Sequence, residues 1–213
     1  MNAERQRKPR TWFYQFARLL LTPILALIYP CKLIGRENID LQEPFILISN
    51  HQSMMDPLLL AIKFKRYEIH FIGKRKLTSF KPLKWIVNHL HMVAVSRKAS
   101  DLSAMRAATA VLREGHVLGI FPEGTRMHGV PMASIESGTS LIALRTHVPL
   151  LPVYITKRPK PFRWLKMVVA PPIPYEDLVG ENVDKGASDE LTKRIQRVYA
   201  DLHEKYNKKT SVE

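Results

Sequence analysis

Four consecutive large apolar residues, Phe45-Ile46-Leu47-Ile48, stand between Pro44 and Ser49-Asn50. So short a run without polar alternation reads as a strand buried on both faces, which belongs to a mostly parallel sheet covered by helices. Similar strand-like segments follow at 68–73, 92–96, 117–121, 150–155 and 166–170, after the first at 45–49. Between them lie helical candidates at 57–65, 78–90, 101–114 and 134–146. This order predicts an α/β fold: a mostly parallel mixed sheet flanked by helices. The helix from Asp101 has Ser100 or Asp101 to cap its start and Gly115 to close its end. Leu191, Ile195, Val198, Leu202 and Tyr206 place an apolar stripe on a C-terminal amphipathic helix, expected to lie on the domain core.

What leaves the first strand is Asn50-His51-Gln52-Ser53-Met54-Met55-Asp56. In open α/β folds ligands bind beyond the carboxyl ends of the strands, so the histidine has a suitable address for a catalytic base. Asp56-Pro57 reads as a helix start, with Asp56 as N-cap and Pro57 at the first helical position. Were His51 and Asp56 on one helix they would lie about 140° apart around its axis. Across a turn the carboxylate can fold back onto the imidazole, hold one ring nitrogen as donor and leave the other to take a proton. The alternative is that Asp56 only caps and His51 is only a polar loop residue.

A second constellation follows the strand-like run Val117-Leu118-Gly119-Ile120-Phe121, whose end delivers Pro122-Glu123-Gly124-Thr125-Arg126. Gly124 allows close backbone approach, Thr125 offers a hydroxyl, and Arg126 can grip phosphate oxygens with a bidentate fork. Glu123 can position that arginine or accept a hydrogen bond from a substrate hydroxyl. Lys74, Arg75 and Lys76 follow another strand and can join Arg126 in a positive pocket; Arg97 is a weaker candidate. An ordinary loop with a surface ion pair and a solvated charge cluster are the competing readings.

The formal net charge of +14 over 213 residues and a pI near 10.0 call for a polyanionic partner. Nucleic acid is disfavoured, because the basic residues are scattered and no nucleic-acid-binding motif is present. A single cysteine, Cys31, excludes an intrachain disulfide and a cysteine metal cage and fits a reducing compartment. It is read as packed or lipid-facing, with nothing nearby to ionise it. His89-Leu90-His91 lacks a carboxylate partner, so no metal is expected.

Residues 1–34 form a distinct region. A basic arm with Arg5, Arg7, Lys8 and Arg10 runs into Trp12-Phe13-Tyr14, and an apolar or neutral stretch then extends from Leu19 to Cys31 around Pro23. The stretch is short for a bilayer span, which needs about 20 residues. It reads as one or two helical pieces in the membrane interface, with the arm against anionic lipid. A signal peptide and a helix packed on the domain's own core are the alternatives. Residues 35–213 then make up the main domain, with the amphipathic helix at its C-terminal end.

Asn-His-x4-Asp followed by Phe-Pro-Glu-Gly-Thr-Arg resembles the glycerolipid acyltransferases, in particular the 1-acyl-sn-glycerol-3-phosphate acyltransferase family. Lys74-Arg75-Lys76-Leu77 stands in place of that family's basic block, and Val148-Pro149-Leu150-Leu151-Pro152-Val153 in place of its proline-containing strand. The resemblance covers roughly residues 33–172. It implies that His51 is the general base and Asp56 its orienting partner, with Glu123, Gly124, Thr125 and Arg126 in the acceptor-phosphate site. It also implies lysophosphatidic acid and an acyl thioester (acyl-CoA or acyl carrier protein) as substrates, no further cofactor, and a peripheral or monotopic place on the cytoplasmic membrane face. Two departures touch the phosphate contacts: Lys76 stands where the family often has Glu, and Glu136-Ser137-Gly138 where it often has Lys-x-Gly.

Overall fold

The computed structural model describes residues 12–41, 44–74, 93–95, 101–126, 129–180 and 183–207. Seven strands form one sheet: β1 (Cys31–Ile34), β2 (Ile46–Ser49), β3 (Ile69–Lys74), β4 (Val93–Val95), β5 (Val117–Ile120), β6 (Leu150–Ile155) and β7 (Leu165–Val169), in the order β1-β7-β6-β2-β5-β3-β4. Among the described residues only the β6–β7 pair is antiparallel. The expected mostly parallel, mixed sheet is therefore present, with β2 lying between β5 and β6.

Side-chain alternation along the strands divides the interior into two cores. Ile46, Ile48, Leu118, Leu150 and Tyr154 face helices α3 (Asp101–Arg113), α4 (Gly138–Thr146) and α5 (Lys185–Asn207). Phe45, Leu47, Val117, Leu151 and Val153 face the other side, which is covered by α1 (Trp12–Ile28) and α2 (Asp56–Lys63). This is why the strands read as unbroken apolar runs: helices cover both faces. Helix α3 ends as expected, with Gly115 at φ 84°, its N–H on the Leu112 carbonyl and that of His116 on Val111, a Schellman closure. Helix α5 starts at Lys185, because the Asp184 carboxylate accepts the Ala187 N–H and caps it there. Leu191, Ile195 and Leu202 are buried against the core, and Tyr199 is wholly buried beside them.

The N-terminal region keeps an expected helix and differs from expectation at its end. Its apolar segment is one helix running through Pro23, with Tyr14 and Leu25 buried against the domain and another face outward. Cys31–Ile34 is a strand paired in parallel with Leu165–Val168, so the sheet begins inside the stretch read as the anchor. The signal was there in miniature: Cys31 and Leu33 are buried and Lys32 is exposed, the alternation of an edge strand, compressed into four residues after Pro30. Burial pushes the Cys31 thiol up to about 11, which suits a packing role. The helical candidate at 78–90, Arg75, Lys76, Arg97 and His89-Leu90-His91 lie outside the described residues.

Candidate active site

Strand β2 ends at Ser49, and the next residue is held like a continuation of the sheet. The Asn50 side chain imitates a peptide group: its Oδ1 accepts the Ile155 N–H at 2.7 Å and its Nδ2 donates to the Ile155 carbonyl at 3.0 Å. Gln52 Nε2 donates to the same carbonyl at 2.8 Å. The chain carrying His51 is thus laced to the C-terminal end of β6 on one side of the turn.

The turn folds His51 onto Asp56. Nδ1 lies 2.9 Å from Asp56 Oδ2, and the same oxygen accepts the N–H groups of Gln52 and Ser53, each at 2.7 Å. Asp56 is wholly buried, so its charge is balanced by these donors rather than by water. The carboxylate acts on the turn that precedes it rather than as a cap: α2 begins at Asp56 itself, with Met55 in the cap position. An ionised carboxylate accepts only, so Nδ1 carries the hydrogen and Nε2 presents its lone pair. The His51 side chain is 17% exposed, open to a substrate yet mostly shielded.

An aromatic stack sets the plane of the ring. His51 lies on Phe121 with centroids 4.3 Å apart, and Phe121 lies nearly parallel to Phe71 at 5.8 Å. Gly119 makes room for this row, since a Cβ there would come within 2.5 Å of the Phe71 ring.

Glu123 ties the second constellation to the first. One oxygen accepts the His51 N–H at 2.7 Å and the other the Met132 N–H at 2.8 Å. Met132 is buried at φ 60°, a conformation that side chains rarely adopt and that this bond helps to hold. With both oxygens so engaged, Glu123 sits as a clamp between the histidine turn and the 130–137 segment. Burial pushes its carboxyl above the ordinary range, against the lowering effect of the two N–H groups. Glu123→Gln must set an amide NH2 against one of those N–H groups. It is expected to cost about 1–3 kcal/mol of stability, measurable by denaturant titration, together with activity. The sign with pH follows from the raised value: the folded state holds this proton more tightly. The Glu123 contribution to wild-type stability therefore falls as pH rises from the unfolded pKa through the folded one, and the gap to the variant narrows.

The turn itself has Gly124 at φ 64°, where an added Cβ would lie 2.4 Å from Glu136 Oε1. Thr125 and Arg126 are exposed. The backbone of Lys74 closes β3, opposite Val95. Arg75 lies outside the described residues, so the structure does not join it to this site.

A cleft of about 290 Å³ opens over His51, between Asn50, Gln52 and Glu123 on one side and Thr156, Lys157, Arg158, His203 and Asn207 on the other. Its cations come from Lys157 and Arg158; Arg126 stands outside that lining. Sequence reasoning missed these residues. Thr156-Lys157-Arg158 leave the carboxyl end of β6, so the rule that singled out His51 applied to them as well. His203 and Asn207 are four apart on α5 and share a face, but which way it looks depends on how the helix docks. His203 Nδ1 meets the Tyr154 hydroxyl at 2.8 Å, and Asn207 Nδ2 lies 3.2 Å from its Nε2. Burial pushes the Tyr154 hydroxyl up to about 12, which keeps it protonated as a hydrogen-bonding partner.

The arrangement suits acid–base work at a hydroxyl. It holds an oriented imidazole with an open nitrogen, a buried charge to stabilise the imidazolium, and positive side chains above. The N–H groups of His51, Gln52, Ser53 and Met55 are committed to Glu123, Asp56 and Ser53 Oγ, so these four amides already have partners within the turn and its clamp.

Residues 31–156 match the family model described as Acyltransferase. With that segment forming more than half of the chain, the protein belongs to the acyltransferase family and is an acyltransferase. Among its relatives, the 1-acyl-sn-glycerol-3-phosphate acyltransferase of Bacillus subtilis (strain 168) is 29% identical over 140 residues, covering 65% of this chain and 69% of the relative. That of Borreliella burgdorferi is 32% identical over 121 residues, 56% of this chain and 48% of the relative. The crystal structure of the 1-acyl-sn-glycerophosphate (LPA) acyltransferase PlsC from Thermotoga maritima superposes with a TM-score of 0.64 at 25% identity, covering 90% of this chain and 78% of that one. The match thus spans about half of the Borreliella relative and somewhat over two thirds of the Bacillus one.

Proposed function

We propose that the protein transfers an acyl chain from an acyl thioester, acyl-CoA or acyl carrier protein, to the free sn-2 hydroxyl of 1-acyl-sn-glycerol 3-phosphate, giving phosphatidic acid. The observation that carries this reading is the 2.9 Å contact between His51 and the buried Asp56 at the floor of a cleft with cationic walls. Nε2 takes the hydroxyl proton as the substrate oxygen attacks the thioester carbon. The new C–O bond forms, the C–S bond breaks, and the imidazolium returns the proton to the departing thiolate. No enzyme nucleophile is needed: the chain lacks Gly-x-Ser-x-Gly, and its one thiol is buried in β1.

Arg126 is proposed to contact the acceptor phosphate, with Gly124 and Thr125 shaping the turn that presents it and Lys74 and Arg75 adding positive charge. Glu123 is better placed to position His51 than to meet the anion, since its oxygens already accept two N–H groups. Arg126→Ala should lower kcat/KM for lysophosphatidic acid by about 10- to 100-fold, the range of a lost charge-assisted hydrogen bond, and spare a monoacylglycerol acceptor. Equal loss on both acceptors would remove it from phosphate recognition.

The same reading seats the enzyme on the membrane. No helix among the described residues is long and apolar enough to cross a bilayer. Helix α1 is proposed to lie in the interface on the cytoplasmic face, where the long-chain acceptor is reached laterally. The decisive assay offers the purified protein in detergent lysophosphatidic acid with a panel of acyl-CoA and acyl carrier protein thioesters. Phosphatidic acid is the expected product, and its absence with every donor would refute the assignment.

A further inference from the structure

Helix α1 is apolar on two sides. Tyr14 and Leu25 face the domain, while Trp12, Phe16, Leu19, Leu20, Ile24 and Leu27 point outward, each between 48% and 76% exposed. At about 100° per residue the outward set falls within one arc of the helix. A helix with apolar residues on two opposite sides calls for an apolar setting on each.

A second exposed apolar element stands beside it. The β6–β7 connection raises Phe162 and Trp164, 72% and 68% exposed. Phe162 is at φ 57°, a left-handed conformation unusual for an aromatic residue. This connection is joined to the end of α1: the Phe162 N–H donates to the Ile28 carbonyl at 2.6 Å, and the Leu165 N–H to that of Pro30 at 3.0 Å. Around the two aromatics stand Lys157, Arg158, Lys160, Arg163 and Lys166, all exposed, with no acidic residue between 156 and 166.

Topology puts this element at the catalytic edge of the sheet. The carboxyl ends of β2, β5 and β6 share an edge with the starts of β1 and β7, because β7 and β1 run opposite to β6. Thr156, Lys157 and Arg158 both line the His51 cleft and begin the connection.

We propose that the β6–β7 hairpin is a second membrane-seating element, in which Phe162 and Trp164 enter the headgroup region of an anionic bilayer beside the outward face of α1. The flanking Lys and Arg side chains meet lipid phosphates, and the mouth of the cleft is held at the lipid surface. Aromatic side chains ringed by cations suit that zone, where ring and charge are both accommodated. A second copy of this chain suits it poorly, since a self-complementary contact would set these cations against their equivalents on a protein of net charge +14. The inference rests on the interfacial seat proposed for α1, but its test is independent of catalysis.

The full chain carrying Trp12→Phe and Trp85→Phe retains Trp164 as its one indole. With vesicles of phosphatidylglycerol and phosphatidylcholine, its emission should shift to the blue and be quenched by brominated lipid. Unchanged emission on vesicles that the protein binds would overturn the proposal, as would failure to bind them at all. In otherwise wild-type protein, F162S/W164S should weaken vesicle partitioning by about tenfold or more. Its transfer to a short-chain, water-soluble acceptor should be unchanged. Wild-type partitioning in this variant would overturn the proposal. A solution dimer that this variant dissolves without altering vesicle binding would instead make the patch a contact between copies.

Discussion

His51→Ala lowers turnover by about 10²-fold or more, the usual worth of a positioned general base, with little change in KM for either substrate. The reason is local. His51 lines the cleft, and with Nδ1 held by Asp56 it is Nε2 that is left to take a proton. Alanine keeps the backbone N–H that Glu123 accepts, so the turn retains its main-chain tie while the proton acceptor is removed. The measurement is steady-state transfer to lysophosphatidic acid beside a circular dichroism spectrum and a thermal melt. A folded variant within a few-fold of wild-type turnover would exclude the histidine from the chemistry.

Asp56→Asn is the second large effect: a fall of about 10²- to 10⁴-fold in kcat, as expected when the carboxylate behind a catalytic histidine becomes neutral. Three donors converge on Oδ2. If the amide turns its oxygen toward them, the imidazolium formed during transfer loses its buried counter-charge. If it turns its NH2 instead, the ring must take the other tautomer and the N–H groups of Gln52 and Ser53 face a donor. Either orientation also costs stability, about 1–3 kcal/mol for an unmet buried group. Rates near wild type in a folded variant would show that Asp56 holds the turn without assisting the reaction.

Much of this could be read before any coordinates. Strands β2, β5 and β6 were legible because each is an apolar run of four to six residues covered on both faces, and the ends of β2 and β5 marked the His51 and Glu123 turns. Strand β1 was not, because four residues after Pro30 merge with the apolar helix before them. The clamp made by Glu123 was illegible for another reason: its two partners, His51 and Met132, are main-chain groups, and any residue but proline offers an N–H. Lys157 and Arg158 were hidden among many other cations, since on so basic a chain charge alone marks nothing. Tyr199 was passed over for its neighbour Val198, which filled the same turn of the stripe; the structure buries the tyrosine wholly and Val198 only in part.

That tyrosine has a consequence for how the site can move. Its hydroxyl donates to the Ile48 carbonyl at 2.8 Å and lies 3.2 Å from that of Val153, two carbonyls on neighbouring strands just short of the point where the histidine turn departs. One proton therefore staples β2 to β6 from behind. Spreading the scaffold at this seam would break that tie. Whatever breathing the cleft performs belongs to the segments past the strand ends, while the reacting groups keep a constant separation.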